Sequence, residues 1–520
     1  MARRGRSRGR GRGRGRSYPS RKPEKEQEQQ LSSHASWEIM PLELREMVPE
    51  YLEDSIQSGK AKASVYASVC KEWYDYFEPY IFRRLTLSIE RLNELEAMIT
   101  GSRQLFVQHI WLRFERSVQP GVTPIKFRHE MDTLRFRATI FQLFQILSEW
   151  PERVAGQPGI ALELTAFSAA DPDYSMKDTI PDELKDVDLT IDSETLNAIY
   201  EKTPSNRRTL TDHERRQQSE LREFYDPQSH LALLPVRLPT VGLITDLAMR
   251  RQMHISFFTN YIKLIMNSLP NLEFLTYEPR ALQPFSRDNF EAAREIITKI
   301  PSSIRRLQMF EDSPSLYVDG TYLIRVNDNG GSLGRLLADI SQDKEPEVIS
   351  MSFIIDAVDF FSDFRTPQIS RPHWKLGWLN LTSLVLTSAV ITPERKDEIP
   401  SLLIAAARAA RHMPKLEIME LYYVSRNHGG IFTYVHDSTG SILWWDSTWE
   451  WEFSPNVISM WKRAANVHGA KLFEHEESLI QLKGDDGMGW DGTILSLLRT
   501  RTTVVHPITY GNMMNGQIFM

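Results

Sequence analysis

The sequence predicts an α/β protein: a small helical module near the N-terminus, an array of helix–strand units, and a C-terminal β-hairpin followed by a helix. Three observations carry this prediction. Apolar residues between Trp37 and Leu87 recur at helical steps of three and four. Strand-length apolar runs recur from residue 107 to residue 424. Several of these runs follow a helical stretch that ends in an apolar residue, a proline and a short turn.

In the helical module, Leu44, Met47, Val48, Tyr51 and Leu52 fall along one side of a helix, and Pro41 suits its first turn. Pro49 predicts a break or kink, with a second turn restarting at Glu50. After the Ser58-Gly59 turn signal, Val65, Val69, Trp73 and Phe77 stand four apart, flanked by Tyr66 and Cys70. Helices this short bury too little apolar surface to offset roughly 1 kcal/mol or more of entropy per ordered residue. They therefore need the rest of the chain, or a partner, to lean on.

The pattern Met40-Pro41-Leu42-Glu43-Leu44, a helix, then Ala67-Ser68-Val69-Cys70-Lys71-Glu72-Trp73 and Phe82-Arg83-Arg84-Leu85 resembles an F-box, in the form found at the start of many fungal F-box proteins. Met40 stands where the family usually has Leu, a volume-conserving exchange. The resemblance implies a plug that docks on the adaptor subunit of an SCF-type cullin-RING ubiquitin ligase. Its apolar anchors would be Met40, Pro41, Leu44, Val69 and Trp73. The same helices would alternatively serve as an N-terminal cap on a larger domain.

At 520 residues the chain exceeds one ordinary core. A hydrophobic content of 41% with 25% charged residues is that of a water-soluble protein, and nothing reaches the apolar run needed to span a bilayer. The basic start lacks the apolar core of a secretory signal. The single cysteine, Cys70, excludes an internal disulfide and a cysteine-rich zinc site, which fits the cytoplasm or nucleus. Residues 1–22 carry nine Arg, one Lys and no acid in a chain of net charge −6, so the remainder is markedly acidic. The alternation of Arg with Gly predicts a disordered tail and linker over residues 1–34. Arg6, Arg8, Arg10, Arg12, Arg14 and Arg16 suit weak, salt-sensitive contact with RNA, and the run is similar to tails of RNA-associating proteins.

The helical module is assigned to residues 35–87 and the helix–strand array to 88–425. The runs in the array are VQHIWLRFE (107–115), ALELTAF (161–167), GLITDLAM (242–249), NLEFLTYE (271–278), SIRRLQMF (303–310), VISMSFIIDA (348–357), LTSLVLTS (381–388) and KLEIMELYYV (415–424). The junctions IMNSLPNLEFL, IITKIPSSIRRL and AARHMPKLEIMEL repeat at a loose period in the range of solenoids. Stacked, such units give a curved parallel sheet with helices outside. That arrangement resembles a divergent leucine-rich-repeat horseshoe without the asparagine-bearing consensus. The charged segment at about 171–227 reads as an insertion, and a second break, from Phe310 to Pro346, holds a short strand YLIRV.

Residues 426–520 change texture. GGIFTYVHDSTGSILWWDS predicts a hairpin with strands 431–436 and 441–446 around Asp437-Ser438-Thr439-Gly440, then a helix around Val457–Val467. Trp444 and Trp445 should point to opposite faces, with the tryptophan group mostly core. Asp491 is expected as N-cap of a final helix, followed by a strand ending at His506-Pro507. The SFIIDA strand and the tryptophan-rich run are similar to the region after the F-box in the same fungal group.

Matches to enzyme motifs fail on context. Gly330-Gly331-Ser332-Leu333-Gly334 spells a nucleophile elbow but reads as a Gly-rich turn opening the helix GRLLADI. Gly487, Gly489 and Gly492 lack the βαβ unit a dinucleotide site needs. The thirteen His show no metal-ligand spacing. The expected function is therefore a non-catalytic substrate-recognition subunit, with no cofactor or metal. Its expected partners are the adaptor and cullin of the ligase and a target protein on the array. The alternative from the tail is an RNA-associated scaffold.

Overall fold

The computed structural model describes residues 37, 40–57, 61–116, 125–154, 156–168, 237–250, 258–279, 287–311, 332–366, 377–424, 428–480, 490–507 and 509–510. The Arg/Gly tail, most of the 171–227 insertion's surroundings including the insertion itself, and YLIRV lie outside the described residues. The chain falls into two compact units, residues 1–55 and 56–520.

The first unit contributes most of α1 (Leu42–Gln57), with Glu43 in its first turn. Pro41 precedes the first helical residue, and its carbonyl accepts from the amides of Leu44 and Arg45. The break expected at Pro49 does not occur: the helix runs through it. A proline deprives the helix of one i→i−4 bond and bends it, and neighbouring turns suffice to continue. Pro49 is buried, whereas Leu44, Met47 and Tyr51 face outward, 47%, 60% and 76% exposed. Three of the five residues of the apolar stripe are thus on the outer side of the helix.

In the second unit, α2 (Ala63–Ala67) and α3 (Lys71–Phe82) are separated by a turn at Ser68–Cys70, in which the Ser68 hydroxyl donates to the Val65 carbonyl. The four-residue stripe is therefore split. Val65 and Val69 point outward, 61% and 59% exposed. Phe77 is fully buried beneath Tyr66, half-buried Trp73, Tyr76 and Tyr80, with ring centroids 5.0–6.1 Å away. Arg103 fastens α3 by donating to Glu78 at 2.8 Å and Tyr74 at 3.0 Å.

Among the described residues twelve strands form one sheet in sequence order. They are β1 (Arg84–Leu87), β2 (His109–Arg116), β3 (Ile160–Ser168), β4 (Ile244–Met249), β5 (Phe274–Tyr277), β6 (Arg306–Phe310), β7 (Val348–Ser352), β8 (Ser383–Thr387), β9 (Ile418–Val424), β10 (Gly429–His436), β11 (Ser441–Ser447) and β12 (Phe473–Leu479). All eight apolar runs contain a strand. Arg84–Leu87, expected as the tail of the helical module, is the first of the sheet. β1 to β9 pair in parallel, β9-β10-β11 are antiparallel, and β12 is parallel to β11.

The connecting helices are α4 (Leu92–Met98), α5 (Ser102–Phe106), α6 (Ile125–Ser148), α7 (Phe258–Ser268), α8 (Arg287–Lys299), α9 (Leu333–Lys344), α10 (Ala357–Phe360) and α11 (Ile399–Ala410). After the hairpin come α12 (Pro455–Val467), α13 (Trp490–Leu497) and α14 (Arg501–Val504). The three proline junctions hold: α7, α8 and α11 are followed by buried Leu269, Ile300 and Met413, and the chain turns through Pro270, Pro301 and Pro414 into β5, β6 and β9.

Register sorts the side chains into two faces. Leu85, Ile110, Leu162, Leu247, Leu275, Leu307, Ile349, Leu384 and Met419 stand side by side across nine strands. All but Leu85 are fully buried, in one core with Ile262, Ile265, Ile296, Leu337 and Leu403 of the helices. Each such side chain contributes roughly 1.5–3 kcal/mol by leaving water. One residue further on, Trp111, Glu163, Ala248, Thr276, Gln308, Ser350, Val385, Glu420 and Thr433 form the matching row of the opposite, polar face.

Several elements depart from the sequence reading. β7 ends at Ser352; Phe353 adopts φ 61° while its amide donates to Thr387 Oγ1 at 2.8 Å, and Asp356 caps α10. Asp491 is the second residue of α13 and not its N-cap. The strand expected before His506-Pro507 is helix α14, which lies over the polar face with its flanks tied to Glu420 and Glu278. The hairpin is as expected, its turn closed by Asp437 Oδ1 accepting from the amides of Thr439 and Gly440.

Candidate functional site

Two features carry unusual chemistry, and the first is a set of exposed apolar side chains found on each compact unit separately. The anchors implied by the F-box resemblance fall on both compact units. Met40 is half-buried, while Pro41 and Leu44 are exposed in the first. Val69 is exposed and Trp73 half-buried in the second, beside exposed Val65. Arg6, Arg8, Arg10, Arg12, Arg14 and Arg16 lie outside the described residues. Single exposed apolar residues are ordinary, but Leu44, Met47 and Tyr51 on one helical face are not.

The second is the polar face of the sheet over β1–β6, where a groove of about 820 Å³ opens. Its residues escape a reading of periodicity, because they are scattered polar letters in strands read for their apolar residues: His109 in HIWLRFE, Glu163 in IALELTAFS, Asp246 in ITDLAM, Arg306 and Gln308 in RLQMF. The legible signal is that all of them share one parity of the strand alternation, and stacking turns that parity into a surface.

The C-terminal segment crosses this face and is tied down by two buried carboxylates. Glu420 accepts from the amides of Arg499 at 2.9 Å and Thr500 at 3.1 Å, and from the Thr500 and Thr433 hydroxyls. Glu278 accepts from the His506 amide and the Thr509 hydroxyl, both at 2.5 Å. Burial pushes Glu420 above the usual carboxylate range, and the four donors oppose that shift without cancelling it. His506 is thereby held at the groove, where burial and then the Arg250 charge push it down to about 3. Its imidazole is neutral at pH 7.

Deeper in the face, Arg250 is fully buried and its guanidinium binds Glu163 through both Nε and a terminal nitrogen. His109 Nε2 lies 3.3 Å from the other oxygen of Glu163. Burial alone would raise the Glu163 carboxyl, but Arg250 and His109 hold it far below the usual range. One strand over, half-buried Asp246 behaves oppositely: burial pushes it up to about 7, Arg306 opposes the shift, and Glu163 adds to it. A carboxyl whose folded value exceeds its unfolded one binds its proton more tightly in the folded state, so stability falls as pH rises from about 4 to about 7. Asp246→Asn should therefore flatten that decline and leave the variant about 2 kcal/mol more stable than the parent at pH 8, read from urea midpoints at pH 5 and 8.

Gln308 completes the groove. It is 3% exposed, yet its Nε2 donates to no described residue. Leaving such a donor unmet costs about 1–3 kcal/mol. Two residues earlier on the same face, Arg306 is exposed, lies 5.4 Å over the Phe274 ring, and makes no ion pair within 4.0 Å among the described residues. The groove thus sets donors beside a carboxyl that is easily neutralised. Among the described residues no three His, Cys, Asp or Glu side chains are placed to hold a metal ion.

Residues 299–506 match the model of a family of unknown function, DUF6546. The match covers less than half of the chain and takes in β6 to α14, including Arg306, Gln308 and the C-terminal segment through His506, but not Asp246 or Glu163. No curated protein and no solved structure matches the chain. No helix among the described residues is long and apolar enough to cross a membrane.

Proposed function

We propose that this chain is a non-catalytic substrate-recognition subunit of an SCF-type cullin-RING ubiquitin ligase. Its F-box-like helices would dock on the adaptor, and its polar sheet face would present a target protein. The observation that carries the reading is the outward placement of Leu44, Met47 and Tyr51 on α1, together with Val65 and Val69 at the α2–α3 turn. These apolar groups remain in water in the isolated chain, and covering them supplies the driving force for association. The helix–strand array is consistent with a divergent leucine-rich-repeat-like platform: an apolar row faces the helices, and the opposite row carries the polar groups of the groove. Ubiquitin transfer would then follow from tethering the target near the conjugating enzyme, which raises the effective concentration of its lysines.

The test is co-purification of adaptor and cullin with the full chain and with Leu44→Asp and Val69→Asp. Both positions are exposed, so each variant should keep the parent melting temperature within a few degrees while adaptor retention falls at least tenfold. Adaptor capture that survives both substitutions would sink the docking assignment.

A further inference from the structure

We propose that the notch between β4 and β6 on the polar face is a carboxylate-recognition site, in which the Arg306 guanidinium and the Gln308 amide grip a ligand carboxylate above Phe274. The inference stands independently of adaptor docking. Asp246, Phe274 and Arg306 are register partners on three adjacent strands, so Phe274 forms a floor with an acid on one side and a cation on the other. Arg306 lies over that floor at 5.4 Å and is exposed. Gln308 projects from the same face of the same strand, is 3% exposed, and holds an amide donor that no described residue accepts. All four residues line the groove of about 820 Å³.

The chemistry of the walls selects among anions. A guanidinium presents a planar fork that matches the two oxygens of a carboxylate, and the Gln308 N–H extends the set of donors. A phosphate dianion also fits a guanidinium, but here it would face Asp246, Glu163 and Glu273 together. A singly charged carboxylate meets less repulsion, and it can accept the proton of Asp246 as a hydrogen bond. Binding then favours the protonated form of Asp246, so affinity should rise as the pH falls from 8 to 6. The remaining charged and titratable groups facing the notch are Arg83, Arg84, Glu163 with Arg250, Glu273 with Arg305, His109 and neutral His506.

The carboxylate could belong to a free small acid or to the end of a peptide chain. Isothermal titration of the full chain with butyrate, with a neutral hexapeptide bearing a free C-terminal carboxylate, with the same peptide amidated, and with inorganic phosphate separates these sources. The expected result is binding of butyrate or of the free-carboxylate peptide, tighter at pH 6 than at pH 8. Binding should weaken roughly tenfold to a hundredfold in Arg306→Ala and in Gln308→Leu. Butyrate binding alone assigns a free acid; peptide binding alone assigns a chain end. Phosphate or the amidated peptide binding as tightly, no binding by any probe, or affinities unchanged in Arg306→Ala would each overturn the proposal. Arg306 is exposed, so that variant decides the matter even if Gln308→Leu fails to fold.

Discussion

Arg250→Met is expected to lower the unfolding free energy by about 3–5 kcal/mol, because it strands the buried Glu163 carboxylate without its cation. The double change Arg250→Met with Glu163→Leu should recover most of that loss. It removes both charges from the interior, and a buried ion pair contributes little net stability over apolar groups of similar volume. The asymmetry between single and double variants, read from urea midpoints, is the signature of a paired buried charge. A single variant within about 1 kcal/mol of the parent would contradict it. The same pair sets the acid limit. Glu163 is held below its unfolded value of 4.5, so its contribution is complete above that pH and is lost as the pH falls from there toward the depressed folded value. Acid unfolding of the double variant should accordingly be shallower below pH 4.5 than that of the parent.

Much of the sheet was legible because its strands are short apolar runs, and because the Pro270, Pro301 and Pro414 junctions mark where helices must stop. The hairpin was legible because Asp437 and Gly440 are turn residues between alternating strands. What failed to show was whatever depends on neighbours distant in sequence. β12 reads FEHEESL, too acidic for a strand by propensity, and it forms because β11 offers it an open edge. The α14 segment reads RTTV, strand-like by its branched residues, and is helical because Glu420 and Glu278 tie its flanks across a finished sheet. The groove was hidden for the same reason. His109, Glu163, Asp246, Arg306 and Gln308 are spread over four strands and two hundred residues of sequence, and only register brings them onto one face. The anchors of the helical module were legible as residues but not as surface: Pro49 was expected to break or kink a helix that runs on through it, with Leu44, Met47 and Tyr51 outward.

Trp461→Ala should cost about 3–5 kcal/mol, the range for deleting a fully buried tryptophan that its surroundings cannot collapse to fill. Trp461 sits on α12 with its ring 4.8 Å from Tyr434 and 5.0 Å from Phe432, both on β10, and it is the residue through which the helix after the hairpin presses on the sheet. Its Nε1 donates to no described residue, so the large cost comes from apolar contact and not from a hydrogen bond. Trp461→Phe should therefore cost much less, about 1–2 kcal/mol, since it keeps a ring in the stack and removes an unmet donor. Trp444→Ala supplies the contrast on the opposite face of β11: that ring is half-buried under the Arg499 guanidinium at 3.8 Å, and its loss should cost only about 1 kcal/mol. If Trp461→Phe proves as damaging as Trp461→Ala in thermal or urea unfolding, the indole nitrogen holds a partner that matters, and the packing account of this helix is wrong.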